Sequence, residues 1–524
     1  MARKSARGSF YLFVGSLVSE LINAAGAVLV ARLLTPEEYG VYHLSFILPG
    51  IFVMFSGLGT RSALTRFLAR YQAEDKRGEM RGMVRIGLLF NGGLSILLSA
   101  VLYLSSDVLA SVALVRPGLG GNVRIASIIT FLLALHSTVS AIFFGLERME
   151  YMAAIVVLNS VVRTIIGPFL VIRGFGAVGA LMGYSISYVV SGIASVVLIL
   201  RELSVGGSSP NEGEASLGKM LRFGFPLYLG GLVNGIGLRY QGLLQAWFAT
   251  DLAIGNLSIA TKFKSLVGLF TVPIASTIYP AFSKYSYRER PREMTSMFKT
   301  SIRYATILVI PMAALVMILA KPAVVTLFGV EYTAAPFFLV LAMLEFLRVG
   351  LGSLSVLSFL NSQGDTRTTL RLNLMSVGLM VVICTPLTWR LGVPGLLTGI
   401  ALSQILSSGY NLLMIRGHYG LSIDLDHMLR VALFSGVAAA VTYLVMSRIA
   451  FPHSLLHLSA GSLIFLAACM FLAPLAGALN LGDLETVRKI LRRGFVVYPL
   501  IAPFLDLEER IVTAYTGETD KSPP

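Results

Sequence analysis

The chain is poor in charge. Asp, Glu, Lys and Arg make up 13% of its 524 residues, about half the share of a soluble domain and too few to coat a water-soluble fold of this length. Cysteine is scarcer still. Cys384 and Cys469 lie far apart, each inside an apolar stretch, so neither a disulfide framework nor a thiolate metal site is expected. His453 and His457 stand four apart without a nearby acid, the pattern of a solvated helix start rather than a metal site. The phosphate-cradling GxxxxGK[ST] motif and the zinc-binding HExxH motif are missing. The longest wholly polar gap, 202 to 222, is too short to fold alone. These absences disfavour a membrane glycosyltransferase or polymerase, so the chain is read as no enzyme, with no cofactor.

What the chain has is apolar sequence. Hydrophobic residues make up 55% of it and mean hydropathy is +0.78. They fall in fourteen stretches, the first near 11 to 33 and the last near 456 to 479. A helix needs ~20 mostly apolar residues to cross the hydrocarbon core, so the expectation is an all-α polytopic membrane protein of about 14 transmembrane helices. The basic start, MARKSARGSF, leads into an apolar run of full length and reads as a retained first helix. If that start is cytoplasmic and the spans alternate, inner segments hold 30 Lys and Arg against seven in outer loops. That bias orients the chain with both termini inside. The net charge of +15 therefore records orientation and attraction to anionic lipid, and no nucleic-acid partner is expected.

The sequence also repeats itself at an offset of about 215 residues. ARYQAEDKRGEMRGMVRIG (69 to 87) matches SKYSYRERPREMTSMFKTS (283 to 301) at Tyr71 and Tyr285, Glu79 and Glu293, Met80 and Met294. GAVGALMGYSIS (176 to 187) matches GVPGLLTGIALS (392 to 403), pairing Gly176, Gly179 and Gly183 with Gly392, Gly395 and Gly399. These glycines are assigned to close helix packing. The repeat implies a six-helix bundle over 1–201, a cytoplasmic linker at 202–223 and a second six-helix bundle over 224–416. Helices 13 and 14 follow at 417–480, then a cytoplasmic amphipathic tail at 481–524.

Ionisable groups inside spans are costly and usually face protein or a watery cavity. Ser16, Glu20 and Asn23 share one face of the first span; Ser258, Thr261, Lys262 and Ser265 share one face of the eighth. Lys264 is about 200° around the helix from Lys262, so Lys262 is the one assigned to a lumen. The seventh span carries Asn234, Gln241 and Gln245 on one stripe, and Arg239 with Gly231, Gly235 and Gly242 on another. Asn159 with Arg163, and Glu345 with Arg348, have spacings that allow pairing on a single helix. Arg61, Arg66 and Arg70 are read as cations snorkelling toward headgroups.

Three segments carry a family resemblance: ARLLTPEEYGVYHLSF (31 to 46), GLERMEYMA (145 to 153) and RGFGAVGALMGYSIS (173 to 187). In this order they resemble the polysaccharide and oligosaccharide flippases of the multidrug/oligosaccharidyl-lipid/polysaccharide exporter superfamily. NSQGDTRTT (361 to 369) departs from the GLER pattern in the second half, so no role is carried there. The resemblance implies a cavity lined by the first, second, seventh and eighth helices, and export of a lipid-linked glycan across the cell membrane by alternating access. The expected binding residues are Arg239, Lys262, Glu20, Asn23, Gln241 and Thr261, with no metal. The expected partners are an isoprenoid-linked glycan, the bilayer and glycan-assembly enzymes. In-span cations outnumber the central acids, which suits an anionic substrate; the alternative is a cation-coupled multidrug exporter of the same superfamily.

Overall fold

A computed structural model of the chain describes residues 2–204, 216–449 and 453–479, with Arg488, Asp506 and Thr513. These residues form helices and short connections, with no strand among them. The chain opens with α1 (Ala2–Leu33), α2 (Pro36–Leu44), α3 (Ile47–Met54), α4 (Thr60–Ala73), α5 (Arg77–Leu104), α6 (Ser106–Val112), α7 (Gly120–Gly145), α8 (Met149–Leu170), α9 (Gly176–Ser204) and α10 (Leu217–Phe248). It continues through α11 (Asp251–Ser283), α12 (Pro291–Ile318), α13 (Ala320–Phe328), α14 (Ala335–Met343), α15 (Ser355–Ser362), α16 (Thr366–Leu391), α17 (Val393–Tyr419), α18 (Leu425–Arg448) and α19 (Ser454–Leu475). Two compact units result, one of Met1–Ser258 with Thr385–Leu396, the other of Ile259–Cys384 with Leu397–Pro524.

Each of the fourteen apolar stretches falls on a helix or a broken helix. Among the described residues, eight helices are long and apolar enough to cross a membrane, with a ninth if Ala335–Leu351 and Ser355–Ser362, bent by 45°, form one span. Met149–Glu202 counts once there although it has 54 residues. At about 1.5 Å per residue that is more than twice the hydrocarbon thickness. The chain folds back within it at Gly174 and Gly176, whose φ values of 89° and 51° a side chain would resist. Large apolar side chains face outward along these helices, among them Leu104 at 82%, Val382 at 69% and Leu463 at 68% exposed. Water would not tolerate that surface; lipid does.

The second span is broken into three pieces for reasons written in its sequence. Thr35 caps α2 in a reciprocal box with Glu38, and Pro36 starts the helix. Gly59, at φ 87°, precedes α4. The repeated glycines hold equivalent places in both copies. Gly176 and Gly392 both have positive φ. A Cβ at Gly179 would strike Leu170 and one at Gly395 would strike Leu387, each on the preceding helix. Gly183 lies on the Gly167 backbone and Gly399 on Cys384. Both cysteines are free.

Polar contacts join helices inside the first unit. Asn159 donates to Ser187 and Ser191 of α9 at 3.3 and 3.2 Å, so it is not the partner of Arg163. Asn23 donates to Ser19 and Ser160 at 3.4 and 3.1 Å, which ties α1 to α8. His453 is the N-cap residue of α19, and no cluster of His, Cys, Asp and Glu among the described residues could hold a metal. The amphipathic tail lies outside the described residues apart from Arg488, Asp506 and Thr513.

Candidate functional site

Arg239 is the one expected binding residue whose surroundings the sequence did not suggest. Gly235 and Gly242 of its stripe pack against Met54 and Ile47 of α3, so the stripe faces the broken second span. The Arg239 guanidinium lies over Gly50, at a point where any side chain would overlap it. Arg239 is exposed, and no hydrogen bond or ion pair joins it to a described residue. On the adjoining segment Arg61 is half-buried beside Gly57, with Tyr228 of α10 near it. The Tyr228 hydroxyl is buried without a partner among the described residues. Arg66 stacks on Phe223 at 4.3 Å, and Arg70 pairs with Glu74 at 2.7 Å.

The loop after α4 carries its own compensation. The Arg70 hydrogen bond first, then the one from Lys76, lower the Glu74 carboxyl to about 2, so Glu74 remains ionised throughout the physiological range.

In the second unit the two lysines of α11 part company. Lys264 donates to Glu345 at 2.7 Å, with Glu345 9% exposed, while Lys262 is exposed and Thr261 half-buried. The expected Glu345 and Arg348 pair does not form. Leu344–Leu351 is a 3-10 helix, which keeps i and i+3 on one face, yet Lys264 of α11 takes the Glu345 carboxylate and Arg348 donates to Gln404 at 3.0 Å. Ser258, expected on the Lys262 face, is buried and donates to the Ile254 carbonyl at 2.8 Å.

The remaining expected residues divide by exposure. Glu20 is exposed on α1, whereas Asn23 is half-buried and engaged by α8 as described; Gln241 is half-buried on α10. The Asn234 side chain lies outside the description. The structure thus keeps Glu20, Arg239 and Lys262 exposed and engages the Asn23 amide nitrogen with α8, its Oδ1 buried without a partner among the described residues. It adds two in-span arginines, Arg61 near Tyr228 and Arg163 against Tyr42 and Tyr184. Neither Arg61 nor Arg163 has a carboxylate at i±3 or i±4, but Arg66 and Arg239 share that property, so no signal in the sequence set the two apart or revealed their partners.

Two backbone approaches bracket this region of the first unit. Gly40 and Gly255 bring the starts of α2 and α11 together so closely that a Cβ at Gly255 would overlap the Pro36 carbonyl oxygen, and one at Gly40 the Asp251 carbonyl. Arg116 donates to Asp251 at 3.1 Å beside them, and the Trp247 indole N–H donates to the Ala113 carbonyl at 2.7 Å. Gly59 and Gly224 bring α4 and α10 together in the same way.

Residues 5–286 match a family described as polysaccharide biosynthesis protein. The chain is 23% identical over 428 residues to the probable low-salt glycan biosynthesis flippase Agl15 of Haloferax volcanii, covering 79% of this chain and 83% of that one. Its fold is similar to that of a lipid II flippase MurJ in an inward closed conformation, with a TM-score of 0.70 at 14% identity over 88% of this chain and 98% of that one. It is similar also to an inward-facing multidrug resistance MATE family transporter, with a TM-score of 0.63 at 19% identity over 77% and 94%.

Proposed function

We propose, since the chain belongs to the polysaccharide biosynthesis protein family, that it is a multi-pass membrane transporter that flips a lipid-linked oligosaccharide or polysaccharide precursor. The observation that carries this reading is the excess of uncompensated cation. Arg239 and Arg61 have no carboxylate partner among the described residues, on a fold shared with a lipid II flippase. A cation left alone in a span is costly, and a phosphate or pyrophosphate between lipid and sugar supplies the missing charge. Arg239 is assigned to that anion in the first unit, with Gln241 offering a polar group to sugar hydroxyls, and Lys262 and Thr261 are assigned the same tasks in the second. Transport runs from the cytoplasmic to the outer leaflet of the cell membrane by alternating access, with the Gly40 and Gly255 contact as the outer seal. Glycan-assembly enzymes are its expected partners. A cation-coupled drug exporter is the second reading, favoured by exposed Glu20 and by the likeness to a MATE transporter.

The test is glycan export per folded molecule. Neutralising Arg239 or Lys262 with Gln is expected to lower export roughly tenfold or more, the size of one lost charge-assisted contact, with membrane abundance nearly unchanged. Rescue of either variant by Glu20→Gln would make the cation a structural counter-charge and sink the assignment.

Orientation has a separate test. In intact cells, cysteines at Lys76 and Arg290 are expected to be protected from an impermeant thiol reagent, and one at Gly118, which has open space around it, to react. Labelling at Arg290 alongside protection at Gly118 would reverse the topology.

A further inference from the structure

Arg163 sits in the first unit where α8 meets α2 and α9, about 21 Å along the helix from Met149. Its guanidinium lies 4.4 Å from the Tyr184 ring centroid and donates to the Tyr42 hydroxyl at 3.4 Å. Phe46 meets Tyr184 edge-on at 4.8 Å, and His136 meets Tyr188 edge-on at 5.2 Å. The Tyr184 hydroxyl donates to that of Tyr188 at 3.5 Å. The cluster is rich in donors and short of acceptors. Of five guanidinium N–H groups one is used, and the hydroxyl hydrogens of Tyr42 and Tyr188 have no acceptor among the described residues. The groups that meet the Arg163 guanidinium among the described residues are the Tyr42 hydroxyl and the Tyr184 ring, neither of which carries a charge to offset its own. An aromatic face offsets part of the cost of a desolvated cation, but it leaves the remaining N–H groups unmet.

We propose that Arg163, Tyr42 and Tyr188 form a second phosphate seat, separate from Arg239, that holds a phosphate group of the isoprenyl-linked substrate while the Tyr184 ring fixes the guanidinium. This rests on the flippase reading. A planar guanidinium offers two parallel N–H groups to a phosphate, and the two phenols supply further donors. With α8 entering from the cytoplasm, this seat lies in the outer half of the membrane, suited to an anion that has already moved outward.

The experiment measures binding of geranylgeranyl diphosphate to the full-length purified protein, with inorganic pyrophosphate and phosphatidylglycerol as competitors. Arg163→Gln is expected to weaken diphosphate binding roughly tenfold or more, and Arg163→Lys to keep more affinity than Arg163→Gln because the charge remains. Tyr42→Phe with Tyr188→Phe, which keeps every ring, is expected to weaken it several-fold and serves if Arg163→Gln is lost from the membrane. Pyrophosphate is expected to compete in the parent and less in Arg163→Gln. Unchanged affinity in Arg163→Gln, or in the double phenylalanine variant, would overturn the seat. So would equal competition by phosphatidylglycerol, which would assign the cluster to bulk lipid headgroups. Binding lost in Arg239→Gln but kept in Arg163→Gln overturns this seat and leaves the flippase reading standing; no binding by the parent overturns both.

Discussion

Gly255→Ala is expected to reduce glycan export about tenfold or more while leaving the protein in the membrane at near-parent levels. The added Cβ would overlap the Pro36 carbonyl oxygen and approach the Gly40 backbone nitrogen at 3.2 Å. Both are main-chain atoms with no rotamer to give way, so the starts of α2 and α11 must separate. A conformation disfavoured by about 1.4 kcal/mol is populated tenfold less, and an overlap of this depth costs at least that. Ala249, buried and bonded through its carbonyl to the Arg116 that also holds Asp251, reports the change. A cysteine there should resist an impermeant thiol reagent in the parent and react in the Gly255→Ala background. Gly230, with nothing within 4 Å, is the control, and alanine there should leave both readouts unchanged. Parent-like export and protection in Gly255→Ala would show that the contact is not a seal.

Glu345→Ala is expected to cost folded protein rather than turnover. It removes the acceptor 2.7 Å from Lys264 and leaves a partly buried cation alone, a change worth about 3 to 5 kcal/mol in buried pairs. Thermal unfolding of the detergent-purified protein should show a clear loss of stability. Lys264→Met combined with Glu345→Ala should recover most of it, since the uncompensated charge is then gone. This outcome contrasts with that of Arg239→Gln, where abundance stays and export falls. A Glu345→Ala protein as stable as the parent would mean that the pair contributes little.

The spans were legible because membrane burial demands a long apolar run whatever the helix touches. The repeated glycines were legible too, since Gly176 and Gly392 answer to backbone geometry that is local. Partners were not. Glu345 was expected to meet Arg348 on its own helix, but Lys264 of α11 reaches its carboxylate and Gln404 of α17 takes Arg348. Asn23 shares a helical face with Glu20, yet α8 lies against it and engages its amide nitrogen. Periodicity tells which residues share a face, not which neighbour lies opposite. Arg163 shows the same limit, since its environment is assembled from α2, α8 and α9, far apart in the chain. The three-piece second span was visible only as Pro36, Pro49 and the glycines around Gly59.

The most direct test of the central claim is transport itself. The purified full-length protein would be reconstituted into liposomes carrying a labelled isoprenyl diphosphate-linked glycan in one leaflet, with transfer read by protection of the glycan from an added glycosidase. The account predicts transfer by the parent and roughly tenfold slower transfer by Arg239→Gln, at equal amounts of folded protein. A glycan that stays in its leaflet while a cationic drug crosses the same membranes would contradict it.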